Sequence, residues 1–150
     1  MPVASLHVTL AFLGSVPYAQ LPQLQRIARE QAAACAQAVP LCLRFEHLAH
    51  WARQQILCVP ATEGAGRAQA LATALRDATA AAGFRPDLKP FRAHVTVARK
   101  VARFARAPVL RPVVWRFASF ALLESRTEES GAAYSVIESY SLVEAEKAHE

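Results

Sequence analysis

The chain has 150 residues, of which 53% are hydrophobic and 19% charged, a composition that excludes a disordered or fibrous protein. Its five glycines form neither a Walker loop nor a GxGxxG turn, so a glycine cradle for a nucleotide is excluded as well. The formal net charge of +5 comes mainly from arginine and favours an anionic partner such as a phosphate, with a merely soluble surface as the alternative.

The first half of the chain reads as a strand, a helix and two further strands. Residues 5–13 (SLHVTLAFL) alternate with a period of two, which predicts a strand that Gly14 and Pro17 end. Apolar residues at helical spacing predict a helix over 19–37. Two short strands, 41–51 and 54–60, follow it as a hairpin around residues 52 and 53.

The second half repeats this order. A helix is predicted over 67–82 with Gly83 as its stop, and the strand FRAHVTVAR covers 91–99. After a connector to about residue 112, strands at 113–125 and 132–143 flank a polar turn that ends in Gly131, and the tail from 145 is predicted to fray. Few helices and sequence-adjacent strands predict an α+β fold with antiparallel sheets. The repeated order suggests a duplicated lobe.

Two segments share a His-x-Thr pattern, namely LHVTL at 6–10 and AHVTV at 93–97. Residues two apart in a strand project from the same face, about 6.5 Å apart, so each segment presents an imidazole beside a hydroxyl. Two facing lobes would bring both pairs to one cleft. Threonine hydroxyls can donate to phosphate oxygens, while one imidazole takes a proton and the other gives one, without a metal.

Other interpretations of these histidines are weaker. His7 and His94 can be histidines at the edge of the core that have no function. Burying two polar His–Thr pairs would then cost free energy twice with no functional gain. A metal site lacks support, because neither strand carries a second histidine or a carboxylate at ligand spacing, and threonine is a poor transition-metal ligand. His47 and His50 are three apart and fall on opposite faces of a strand, which indicates surface or hairpin residues.

Cysteine content and the N-terminal stretch bear on the compartment. Cys35, Cys42 and Cys58 show no CxxC spacing, which argues against a disulfide framework or a zinc finger and favours a reducing cytoplasm. Residues 1–19 lack the basic start of a signal peptide, and polar residues interrupt their apolar stretch. No run approaches the about 20 apolar residues of a membrane span. A cytoplasmic protein without a membrane anchor is therefore predicted.

The segments LHVTLAFLG and KPFRAHVTVAR resemble the two signature motifs of the 2H phosphoesterase superfamily, with the closest resemblance to bacterial and archaeal RNA 2′,3′-cyclic phosphodiesterases, also called 2′-5′ RNA ligases. The resemblance extends over both helices, Arg99 and a final Gly131–Tyr134 strand. It implies one bilobal domain over 1–150, with two pseudo-symmetric antiparallel sheets, helices on the outer faces and a basic central cleft. The resemblance also implies site roles: catalytic His7 and His94, and phosphate-binding Thr9 and Thr96.

Three departures from the family pattern qualify this expectation. Family members usually carry a strand and a helix before the first motif, which here begins at residue 6, so the domain is expected to be N-terminally short. An exposed edge of the first sheet is then predicted, and a homo-oligomer can form through it. Ala93 replaces a proline that often precedes the second histidine. Arg99 alternates away from His94, so a phosphate-binding role requires a twist or a bulge near the strand end.

The predicted function is the opening of a 2′,3′-cyclic phosphate on an RNA end or nucleotide, with a 2′-phosphate product by family resemblance and with neither cofactor nor metal. The reverse chemistry, a 2′-5′ ligation of RNA ends, uses the same groups. A catalytically impaired module that binds RNA or nucleotides is the alternative and predicts salt-sensitive binding without turnover. A third interpretation is an interaction protein that uses its exposed sheet edge.

Overall fold

In the computed structural model, which describes residues 1–106 and 108–145, two α-helices and seven β-strands form an α+β fold. The helices are α1, Leu21–Cys35, and α2, Ala65–Ala81, and the strands are β1, Leu41–His47, β2, Ala49–Trp51, β3, Ile56–Glu63, β4, His94–Arg99, β5, Val109–Phe117, β6, Ser119–Glu128, and β7, Gly131–Ser141. Short 3-10 turns lie at Val3–Ser5 and Tyr18–Gln20. The predicted fold class is confirmed.

All pairings between these strands are antiparallel. The central strand β3 pairs with β4 along one edge and with β1 and β2 along the other, and β5 pairs with the outer edge of β1. Strands β6 and β7 form a separate two-stranded sheet. The two sheets are therefore unequal, with five strands around the second His-x-Thr segment and two strands in the other sheet.

Both predicted helices are present within two residues of their expected ends. α2 ends as its sequence predicts: Gly83 has φ 91°, its N–H donates to the carbonyl of Ala80, and the N–H of Phe84 donates to the carbonyl of Thr79. This pair of bonds satisfies carbonyl groups that a helix end otherwise leaves without partners. At the other end Gly64 has φ 81°, and a Cβ there would overlap the carbonyl of Cys42. Glycine at this position lets α2 begin directly after β3.

The predicted strand over residues 5–13 does not form. Ser5 ends a 3-10 turn, Leu10 lies in a bend, and of this segment only Val8 pairs with another strand, through one antiparallel bridge to Val95. A β-strand requires backbone partners along its length, and this segment instead lines an open groove of about 860 Å³ whose far wall includes β6. We call residues 6–10 the His7 segment. The alternation of its residues correctly indicates that the segment has two faces, but the prediction that it pairs as a β-strand is wrong.

Two other predicted strands are each divided in the structure. The run 113–125 continues through Ala118, where the chain leaves the five-stranded sheet as β5 and enters the two-stranded sheet as β6. The run 41–51 breaks at Leu48 into β1 and β2. The hairpin turn between β2 and β3 over 52–55 agrees with the prediction.

The main core lies between α2 and the five-stranded sheet. Its buried members are Leu41, Leu43, Phe45, Ala68, Ala93 and Val95, and Leu6 and Val8 pack against them from the His7 segment. α1 packs on β7, where Ala28 and Ala32 contact Tyr140, and it also packs against α2. Leu71 and Leu75 of α2 also form a cluster with Leu142, against which Phe120 of β6 and Leu10 of the His7 segment pack.

No helix within residues 1–106 and 108–145 is both long and apolar enough to cross a membrane. The predicted fraying of the tail concerns residues 146–150, which lie outside the described residues.

Candidate active site

Strand β4 presents His94 and Thr96 on one face. His94 is half-buried and Thr96 is 8% exposed, while Val95 between them points into the main core. On the neighbouring β3, Pro60 lies opposite His94 and Cys58 lies opposite Thr96. Burial of the reverse face holds the strand in place, so the imidazole and the hydroxyl have a rigid base.

The bridge between Val8 and Val95 sets the position of the His7 segment relative to β4. When the antiparallel register is extended by one residue in each direction, Thr9 lies opposite His94 and His7 lies opposite Thr96. Directly opposed residues project from the same face, with Cβ atoms about 5 Å apart. Both valines point to the core, so the four polar side chains share the other face. The structure thus brings the two predicted pairs together, each imidazole beside the hydroxyl of the other segment.

The two imidazoles are oriented in the same way. Nδ1 of His7 donates to the carbonyl oxygen of Ser5 at 2.7 Å, and Nδ1 of His94 donates to that of Arg92 at 2.6 Å. A carbonyl oxygen can only accept, so the proton of each neutral ring lies on Nδ1. Nε2 is then free to take a proton, or to give one when the ring is charged.

The hydroxyl groups of the two predicted threonines remain available to a ligand. Thr9 is exposed and Thr96 is mostly buried, and no side-chain hydrogen bond found among the described residues involves either hydroxyl. Such hydroxyls can donate to the non-bridging oxygens of a phosphate.

Arg99 is brought to the same side by an irregularity in β4. Leu57 of β3 pairs with Ala98 and Cys58 pairs with Thr96, which leaves Val97 as an extra residue in β4. An extra residue shifts the alternation by one, so Arg99 lies on the face of Thr96. This is the bulge that its predicted role requires. Arg99 is exposed and lines the groove beside His7 and Thr9.

Further basic residues precede and follow the second His-x-Thr pair in the chain. Arg92, Arg99, Lys100, Arg103 and Arg106 are all exposed, and none of the ion pairs in the described part of the chain includes them. Uncompensated positive charge beside a cleft raises the local concentration of anions. Burial raises the pKa of the Cys58 thiol, which lies beneath the site and stays neutral near pH 7.

Two aromatic side chains, neither of them predicted from the sequence as part of the site, contact His7 and His94. The Tyr134 ring lies 5.0 Å from that of His7 in an edge-on arrangement, and the Trp51 ring lies 4.6 Å from that of His94. The guanidinium carbon of Arg92 lies 4.2 Å above the centroid of Trp51. Trp51 reaches His94 across β3, a contact that no local pattern reveals. Tyr134 belonged to the family resemblance, which was the available signal.

The remaining described histidines lie outside this arrangement. His47 is exposed at the end of β1, and Nε2 of His50 lies 2.7 Å from the carbonyl of Val101. Both agree with the surface and hairpin roles predicted for them. In residues 1–106 and 108–145, no three His, Cys, Asp or Glu side chains stand close enough to hold a metal ion together.

Comparison with known proteins places this geometry in a family. The model of the 2′-5′ RNA ligase superfamily matches residues 2–129. The RNA 2′,3′-cyclic phosphodiesterase of Thermus thermophilus is 31% identical over 95% of this chain and 74% of its own length. A crystal structure from the same organism has a TM-score of 0.75 at 27% identity, covering 95% of this chain and 80% of the other. Escherichia coli LigT complexed with 3′-AMP has a TM-score of 0.80 at 22% identity, covering 94% and 79%. The chain belongs to the 2′-5′ RNA ligase superfamily.

Proposed function

We propose that this protein hydrolyses 2′,3′-cyclic phosphates, on RNA ends or on nucleotides, to 2′-phosphates. The observation that carries the proposal is the meeting of two His-x-Thr pairs on one face of the Val8–Val95 pairing. The name of the Thermus thermophilus relative, an RNA 2′,3′-cyclic phosphodiesterase, supports the same substrate class.

In the proposed reaction, water attacks the phosphorus atom and the bond from phosphorus to the 3′ oxygen breaks. Nε2 of one histidine takes the proton of the attacking water, and the protonated Nε2 of the other gives its proton to the leaving 3′ oxygen. Both Nδ1 atoms are engaged by carbonyl groups, so His7 and His94 are equally suited to either role. When a 5′ hydroxyl attacks the cyclic phosphate in place of water, the same proton transfers give a 2′-5′ ligation.

Binding of the phosphate is assigned to hydroxyl and guanidinium groups. Thr9 and Thr96 donate to its non-bridging oxygens, and Arg99 supplies a positive charge from the rim of the groove. The charge that develops on these oxygens during attack strengthens such contacts. No cofactor or metal is assigned to the reaction.

Turnover of a 2′,3′-cyclic nucleotide in excess EDTA tests this proposal, with separation of the 2′- and 3′-phosphate products. We expect a 2′-phosphate from the wild-type chain and a loss of about 10²- to 10⁴-fold in kcat for His7→Ala and for His94→Ala. His47→Ala is the matched control, since that histidine is exposed and outside the site. Salt-sensitive binding without turnover in the folded wild-type chain would contradict the proposal and indicate a binding module.

The same proposal includes three properties of the whole molecule. Residues 1–150 act as one bilobal domain. β6 pairs only with β7 among the described strands, so its other edge can pair with a second copy of the chain, and sedimentation at several concentrations would reveal such a homo-oligomer. The described cysteines are unpaired, which supports the proposed cytoplasmic location.

A further inference from the structure

The imidazole of His94 is held by two contacts of different kinds. Its Nδ1 donates to the carbonyl of Arg92 at 2.6 Å, which selects the tautomer, and its ring lies 4.6 Å from that of Trp51 with 52° between the planes. The second side-chain torsion of histidine has a broad energy profile, so one hydrogen bond at Nδ1 leaves the plane of the ring only loosely set. The indole of Trp51 occupies the space into which the ring would otherwise turn.

Trp51 is itself fixed from two sides. It is the last residue of β2, where it pairs with the buried Ile56, and the guanidinium carbon of Arg92 lies 4.2 Å over its ring. A cation over an indole face is an attractive arrangement. Arg92 therefore contacts both partners, through its backbone to His94 and through its side chain to Trp51. The three residues form a closed unit.

The strand between Trp51 and His94 leaves room for this contact. Trp51 belongs to β2 and His94 to β4, and β3 runs between them with Cys58 paired to both Ala49 and Thr96. Cys58 is fully buried, and cysteine and alanine are small. Their size lets a large indole on β2 reach across β3 to the imidazole.

From this geometry we infer that Trp51 is a positioning residue for His94, which it holds in the orientation that points Nε2 at the substrate. The inference rests on the proposed function and adds a residue to it. Trp51 takes no proton and donates none, so its removal acts through His94. The aromatic ring beside His7 is that of Tyr134, so we expect the His7 ring to keep its orientation without Trp51.

Imidazole ¹⁵N chemical shifts of the whole chain test this inference directly, with the His94 signals assigned through His94→Gln. In the wild type we expect both site histidines to show the Nδ1–H tautomer. Trp51→Ala should give ¹⁵N shifts of His94 that are averaged between its two tautomers. The His7 shifts should stay unchanged, and they serve as the internal control for folding. Trp51→Phe retains an aromatic ring and should restore the wild-type shifts.

Kinetics on the same variants provide a second measurement. We expect Trp51→Ala to lower kcat about 10- to 100-fold with KM changed less than about twofold, because a small misplacement of a catalytic group has this cost. Unchanged His94 shifts in Trp51→Ala would overturn the inference. A rise in KM alone, without rescue by phenylalanine, would also overturn it and assign Trp51 to substrate contact. The NMR result decides the inference even for a chain without turnover, so the two proposals fail separately.

Discussion

The His7 segment and the His94 strand carry the same His-x-Thr pattern, yet the fold supports them very differently. β4 pairs with β3 at five positions and buries Val95 and Thr96, whereas the His7 segment has one bridge and leaves Thr9 exposed. The local geometry is nevertheless the same, because each Nδ1 donates to the carbonyl two residues before it. The orientation of each imidazole is set locally, while the rigidity of its strand is set by distant partners.

The largest expected contrast between the two regions is in stability. Leu43 is 1% exposed in the main core, and Leu43→Ala should lower the free energy of unfolding by about 2–5 kcal/mol, measured by urea denaturation. Leu6 packs against the same cluster but is only partly buried, so Leu6→Ala should cost roughly half as much, in proportion to the apolar area lost. Equal losses for the two variants would show that the His7 segment is part of the core, contrary to this comparison.

The threonines provide a smaller contrast, in activity. Thr96→Val and Thr9→Val each remove one hydroxyl that is assigned to the phosphate, and each should lower kcat/KM by about 10- to 100-fold, the value of a hydrogen bond to a charged group. The larger loss is expected for Thr96, because its hydroxyl is held by a buried strand and Thr9 lies on a loosely held one. The assay is hydrolysis of a 2′,3′-cyclic nucleotide, and wild-type activity in either variant would remove that threonine from the site.

The smallest effect concerns the contact of α1 with β7. The hydrogen bond from Arg29 lowers the pKa of the Glu138 carboxyl most, and the bond from Tyr140 lowers it further. Burial raises the pKa of Tyr140 most, and with the hydrogen bond to Glu138 it brings that pKa to about 12. Because the pKa of this carboxyl is lower in the folded state, its ionised form stabilises the fold at pH values above the unfolded-state pKa of about 4.3. This stabilisation is lost as the pH falls through the folded-state pKa.

Glu138→Gln should therefore lower the melting temperature slightly at pH 7, and the difference from wild type should vanish in acid. Glu30→Gln on α1 is the control, because its pair with Arg26 has a 3.9 Å separation and is mostly exposed. A difference for Glu138→Gln that persists in strong acid would assign the effect to packing instead of charge.

Much of the fold was predictable because its signals are local. Both helices follow from apolar spacing, and the end of α2 follows from Gly83, whose positive φ suits glycine. The strand predicted over residues 5–13 does not form, because a strand depends on distant partners. Alternation indicates two faces but not whether a neighbouring strand exists. The division at Ala118 was hidden for the same reason.

The site residues also differ in whether a local sequence signal predicts them. His7, Thr9, His94 and Thr96 were identified from spacing, because residues two apart in an extended chain share a face. Trp51 was missed, because its contact with His94 depends on the order of three strands. The position of Arg99 depends on one extra residue in β4, which alternation alone would have placed on the wrong face.

The central claim is that two unequal segments form one phosphate site, and titration with adenosine 2′-monophosphate tests it most directly. Backbone amide shifts of Thr9 and Thr96 in ¹H–¹⁵N spectra report on the two segments separately, and adenosine without phosphate is the control. We expect both amides to shift together and to yield one Kd, while adenosine shifts them much less. A response confined to one segment, or two different Kd values, would contradict it.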